Sequence, residues 1–217
     1  PSSTGLVVNG SLIVRDAGAL YYYATNHDLS VLSVASNLIV TNVGKVFLYA
    51  GPTNAASPGY SVDVRIGREL AVATNAWIYP YSHEVNGGSV HFLVKDLTLA
   101  SPNGGFNALG KGYKGGNDQI VAGGPQRGYG PGGGVASASL SSGGGGYGGF
   151  GWNYQTFNGT NCGWTYGATN EPTQPGSGGG GRQNTSDNRM GGWGGGFVWI
   201  DVDRLAILNG DINAAGG

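Results

Sequence analysis

The chain has 217 residues, of which 39% are apolar and only 11% charged, with a net charge of −1. That balance leaves no basic footprint for DNA or RNA, and no apolar run approaches the roughly 20 residues that cross a bilayer as a helix. A single cysteine, Cys162, excludes an internal disulfide framework and a cysteine-rich zinc site.

Pro1 is not preceded by an initiator Met, and no signal-peptide pattern follows it, so the expected form is a mature chain, a processed fragment or a segment of a longer protein. Abundant Ser, Thr, Asn, Tyr and Gly with few charges point to an extracellular or cell-surface location. The N-x-S/T sequons at Asn9, Asn158 and Asn184 are compatible with it.

From the N-terminus, the first clear signal is repetition. GSLIVRDAGALYYYA, SNLIVTNVGKVFLYA, RELAVATNAWIYPYS and KDLTLASPNGGFNAL align on Leu12, Leu38, Leu70 and Leu97, and DRLAILNGDINAAGG adds a fifth copy on Leu205. Each is preceded by a short alternating run, such as VDVRI from Val62, VHFLV from Val90 and VWIDV from Val198. Alternation of this kind marks strands, because successive side chains leave opposite faces of the pleat. No sustained helical period is present. Each repeat therefore predicts three short strands separated by tight turns. One repeat cannot bury its own apolar face, whereas stacked repeats can. A period of 26 to 32 residues between the first four leucines favours a right-handed parallel β-helix over a β-sandwich.

Between the fourth and fifth repeats the composition shifts. Most of the 45 glycines lie between Gly104 and Gly196, in runs such as GGGGYGGFGW from Gly143 and GGWGGGF from Gly191. A flexible linker would gain nothing from the interspersed Tyr113, Tyr129, Tyr147, Phe150, Trp152, Tyr154, Phe157, Trp164, Tyr166 and Trp193. An ordered excursion of polyglycine type is the expectation, with glycine allowing close backbone approach. The predicted organisation is four coils over 1–102, a glycine- and aromatic-rich insertion over 103–196, and a fifth coil over 197–217 stacked on the fourth.

With these repeats and the tail GGWGGGFVWIDVDRLAILNGDINAAGG in view, the chain resembles large secreted bacterial right-handed parallel β-helix proteins with glycine-rich insertions, of the surface adhesin or matrix type. The resemblance rests on composition and repeat and carries over no catalytic residue.

P-loop, Rossmann and nucleophile-elbow motifs are absent, and His27, His83 and His91 lack metal-ligand spacing. Stacking the alternating runs is more informative. If Val8, Val34, Ile66, Val94 and Val202 form an inward column, one outward column reads Val31, Asp63, His91, Trp199. The next reads Ser33, Arg65, Leu93, Asp201. Asp63, Arg65, His91 and Asp201 then fall close enough to serve a polysaccharide lyase or glycoside hydrolase, or else are ordinary solvated exterior positions. Asp201 and Asp203 are candidate calcium ligands, without an EF-hand loop; no other cofactor is indicated. Trp199, Tyr79 and Tyr81 are candidate glycan-binding residues. Tyr21, Tyr22, Tyr23, Tyr49, Tyr79 and Tyr81 suggest an aromatic stripe, free for glycans or covered by the excursion.

Neither end of the repeat array reads as a cap, so further coils or other copies of the protein are the expected neighbours, with surface or matrix polysaccharide as another partner. The expected function is an extracellular structural or adhesive solenoid segment in a larger assembly or fibre. The alternatives are a polysaccharide-active β-helix or a non-catalytic glycan-binding module.

Overall fold

The computed structural model describes residues 5–24, 29–53, 59–116, 127–136, 142–152, 162–167, 172–181 and 190–217. His27, Tyr154, Phe157 and the sequons at Asn158 and Asn184 lie outside the described residues; Asn9 is exposed. The described residues form an all-β protein with parallel sheets and no helix.

Two units are distinguished. The first comprises Pro1–Tyr81, Gly88–Ala108 and Val198–Asn213; the second comprises Ser82–Gly87, Leu109–Phe197 and Ala214–Gly217. In the first unit the alternating runs become strands. Repeats one and two give three each, as the pattern predicts: β1 (Leu6–Val8), β2 (Leu12–Val14) and β3 (Ala19–Tyr23), then β4 (Ser30–Val34), β5 (Leu38–Val40) and β6 (Lys45–Tyr49). In the later repeats the first two strands fuse. β7 (Tyr60–Val72) is followed by β8 (Trp77–Tyr81), β9 (Ser89–Leu99) by β10 (Gly105–Asn107), and β11 (Trp199–Leu208) by β12 (Asp211–Asn213). The fused strands keep the break as a register shift, between Ile66 and Glu69 in β7 and between Val202 and Leu205 in β11.

Every pairing is parallel and joins equivalent strands of successive repeats. One sheet holds β1, β2, β4, β5, β7, β9 and β11; the other runs β12-β10-β8-β6-β3. The expected inward column is present: Val8 pairs Val34, then Ile66, Val94 and Val202. Leu12, Leu38, Leu70 and Leu97 also align. The fifth leucine does not. The extra residue at Asp203–Arg204 slips the register by one, so Leu205 pairs Asp96 and Ala206 takes the place opposite Leu97. Leu205 consequently faces outward and is exposed.

Alternation drives one set of side chains into a continuous apolar interior. Leu32, Leu38, Leu48, Leu70, Ile78, Phe92, Leu99 and Phe106 are completely buried. Phe92 of β9 meets Phe106 of β10 edge-to-face at 5.2 Å. Each such burial contributes about 1.5–3 kcal/mol. Tyr22, expected in the outward stripe, instead points inward and shares a 2.6 Å hydrogen bond with Ser30.

Tight turns return the chain to the second sheet. The amides of Gly18 and Gly44 donate to the carbonyls of Arg15 and Thr41, and the central pairs Asp16–Ala17 and Asn42–Val43 all have positive φ, as in type I′ turns. Val43, at φ 63°, is β-branched and exposed, the costliest residue type for that conformation. Val43→Gly should stabilise the protein by about 0.5–1 kcal/mol, because relief of the left-handed strain exceeds glycine's extra entropy. Thermal denaturation would show it as a higher Tm, and a lower Tm would contradict it.

The second unit contains none of the buried apolar cluster. Its extended glycine segments bond to one another through the backbone. Gly112 and Tyr113 donate to Gly194 and Gly176, Gly116 to Gly179, Tyr129 to Lys114, Gly134 to Gly178, Gly178 to Tyr129, and Gly191 to Gly116. The backbones approach so closely that a Cβ on Gly115, Gly178 or Gly194 would collide with a neighbouring main chain. Tyr147 and Tyr166 pack edge-to-face at 4.9 Å, and the Tyr166 hydroxyl donates to the Pro175 carbonyl. Burial pushes the Tyr113 and Tyr166 phenols up from their ordinary pKa. Cys162 is a buried free thiol.

Candidate functional site

Three adjacent parallel strands carry the polar cluster. β7 supplies Asp63 and Arg65, β9 supplies His91, and β11 supplies Trp199 and Asp201. Register places Asp63 beside His91 and His91 beside Trp199, while Arg65, Leu93 and Asp201 form the next outward row. The four residues read as a catalytic set are therefore brought together, although His91 and Asp201 are separated by 110 positions.

The cluster is a chain of contacts. Arg65 Nε donates to Asp63 Oδ2 at 2.6 Å. Asp63 Oδ1 faces His91 Nδ1 at 3.3 Å, off the line a hydrogen bond requires, and neither atom has a hydrogen-bond partner among the described residues. His91 Nε2 lies 3.0 Å from Asp201 Oδ2, and Trp199 Nε1 donates to Asp201 Oδ1 at 3.1 Å. His91 also sits against two aromatic rings, Tyr60 at 4.7 Å and Trp199 at 4.5 Å.

Outward orientation suggests solvation for these residues, and for two of them that expectation fails. Asp63 is 1% and His91 4% exposed, whereas Arg65 and Asp201 reach solvent. The Tyr60 and Trp199 rings beside the imidazole account for part of this cover. Tyr60 has no counterpart in the repeat alignment, because it precedes the alternating run; an aromatic flanking a run that holds Asp63 and Arg65 is the cue it offers. Each imidazole nitrogen faces a carboxylate, so the cluster links side chains of three strands.

Beside the cluster run the register shifts of β7 and β11. A groove of ≈ 610 Å³ opens there, with Arg65 and Lys95, Asp201 and Asp203 around Leu93 and Gly67. Lys95 escapes sequence reading because it follows the alternating run. Asp201 already holds His91 and Trp199, and Asp203 lines the groove next to it.

Tyr79 and Tyr81 lie on the other sheet, in two rows of stacked rings. Tyr21, Phe47 and Tyr79 stack at 4.7 and 4.8 Å; Tyr23, Tyr49 and Tyr81 stack at 4.5 and 4.4 Å. Phe47 covers one face of Tyr79 and Tyr49 covers one face of Tyr81, so these rings offer a sugar less open face than an isolated platform would. Desolvation, then the neighbouring Tyr81 and Tyr23 phenols, pushes Tyr49 up to about 12. A phenol with a raised folded pKa contributes stability that is complete below about pH 10 and lost as pH climbs through about 12. Tyr49→Phe should flatten the alkaline fall in denaturation midpoint across that window, and an unchanged slope would exclude Tyr49 as its source.

Compared with protein-family models, curated proteins and solved structures, the chain matches none.

Proposed function

We propose that this chain is an extracellular structural or adhesive segment, built as a right-handed parallel β-helix with an ordered glycine-rich excursion of polyglycine type. It works in a larger assembly with other copies or flanking segments of the same protein. Parallel strands joined by crossovers are right-handed in nearly all proteins, which supports the sense of winding. Main-chain bonds from one glycine segment to several neighbours support the packing of the excursion. The observation that carries the function is the state of the outer strands. The inward columns stay apolar to both sheet edges, where Leu6 is 41%, Leu208 56% and Ile212 45% exposed, against 0–4% along most of the interior. Unpaired apolar edges of this kind favour further strand addition. Sedimentation of the full chain should show concentration-dependent elongated species that Leu208→Asp with Ile212→Asp abolishes. A wild-type chain that stays monomeric at every concentration contradicts assembly between copies.

A second reading, a non-catalytic site for surface or matrix polysaccharide, is favoured by the groove bearing Arg65 and Lys95 and by Trp199, which is hydrogen-bonded to Asp201 of its lining. It predicts binding of acidic oligosaccharides by calorimetry, weakened at least several-fold by Lys95→Ala, with no release of product.

A further inference from the structure

The outer face of the second sheet carries an arrangement that neither assembly nor glycan binding uses. Period-two alternation turns Tyr23 of β3, Tyr49 of β6 and Tyr81 of β8 to the same side, and the parallel register sets them directly beside one another. Their ring centroids are 4.5 and 4.4 Å apart, with planes 5° and 25° from parallel. Tyr23 is 58% exposed, and Tyr49 and Tyr81 are half-buried, so small diffusible oxidants reach the row. The parallel row, Tyr21–Phe47–Tyr79, has the same spacing but is interrupted at its centre by a ring without a hydroxyl.

We propose that the Tyr23–Tyr49–Tyr81 row is a site of oxidative tyrosine coupling, in which a peroxide-driven one-electron oxidant joins neighbouring phenols into a dityrosine bridge between successive repeats. Each of two phenols gives one electron and one proton to the oxidant, leaving two phenoxyl radicals. These pair through the ring carbons ortho to oxygen, forming one C–C bond. The hydrogen on each joined carbon then moves to oxygen, restoring both phenols. The bridged protein has lost two hydrogen atoms, and one hydrogen peroxide has become two waters. Rings already in contact need only rotate about their long axes, so coupling within the row outpaces encounters between molecules, as for any reaction whose partners are held together beforehand. Within the other row the same oxidation meets no phenol on the next ring, since Phe47 separates Tyr21 from Tyr79. The inference rests on ring geometry alone and does not depend on the assembly reading.

The test uses the full chain, dilute, treated with a haem peroxidase and hydrogen peroxide. The expected product keeps the monomer's mobility under denaturing conditions and shows dityrosine fluorescence. It should yield a cross-linked peptide pair, two hydrogens lighter, that joins Tyr49 to Tyr23 or Tyr81. Tyr49→Phe should reduce this intramolecular product at least tenfold while circular dichroism shows the fold retained. Phe47→Tyr should add a second set of cross-links, from position 47 to Tyr21 or Tyr79. Cross-links found only between molecules, an undiminished yield in Tyr49→Phe, or no gain in a folded Phe47→Tyr variant would each overturn the assignment.

Discussion

Replacing Asp63 by alanine should destabilise the protein by about 1–3 kcal/mol, the cost of leaving a buried polar group without the partner it faces. The carboxylate is 1% exposed, accepts from Arg65 and faces the buried His91 Nδ1. Once it is gone, Arg65 relaxes into water, since more than half of its side chain is already exposed. His91 has no such escape and keeps a polar nitrogen enclosed between Tyr60 and Trp199. Asp201→Ala is the matched comparison. Its side chain is 56% exposed, so the loss should stay within the ~0–1 kcal/mol of a surface pair. Chemical denaturation of the two variants decides the matter: equal losses, or a larger one for Asp201→Ala, would show that the cluster does not fasten the strands from within.

Gly178→Ala should disrupt the glycine-rich unit. Gly178 donates to the Tyr129 carbonyl and accepts from the Gly134 amide, and a methyl group would run into the Lys114 carbonyl on a third side. Overpacking among side chains costs about 1–3 kcal/mol. Here main chain must yield, and each segment that shifts breaks bonds to its own neighbours, so the loss should exceed that range. Gly148→Ala is the control, because nothing lies within 4 Å of its added carbon. Hydrogen exchange would report the outcome at the amides of Gly134, Gly178 and Gly191. Rapid exchange is expected for Gly178→Ala and wild-type protection for Gly148→Ala. Equal protection in both would mean the close approach at Gly178 tolerates a side chain.

Much of the first unit was legible in the amino acids because strand alternation is a local code. Val8, Val34, Ile66, Val94 and Val202 hold the same place in successive strand-period runs, and that sets the column and, with it, the juxtaposition of Asp63, His91 and Asp201. The code fails at a bulge, since Val202 and Leu205 are spaced in sequence as Val94 and Leu97 are. Asp203–Arg204 looks like any polar turn, and nothing in its letters announces the slip that moves Leu205 outward. Burial on the outer face was equally hidden, since it depends on Tyr60 and Trp199 arriving from different repeats. Tyr22 shows the converse: a run of three tyrosines must turn its middle member to the other face. In the glycine-rich unit, order was suggested by the aromatics, but the partners of each segment were not. Stretches as alike as Gly143–Gly146 and Gly178–Gly181 carry no side-chain information about which neighbour to choose.

The two units differ in what holds them, hydrocarbon in one and peptide groups in the other. Exposing apolar surface raises heat capacity whereas exposing polar surface lowers it. The glycine-rich unit should therefore melt with an enthalpy that varies little with temperature, while the repeat array shows the usual strong curvature. Cooling weakens apolar burial and spares amide-to-carbonyl bonds, so the glycine-rich unit is the part suited to holding its shape in the cold.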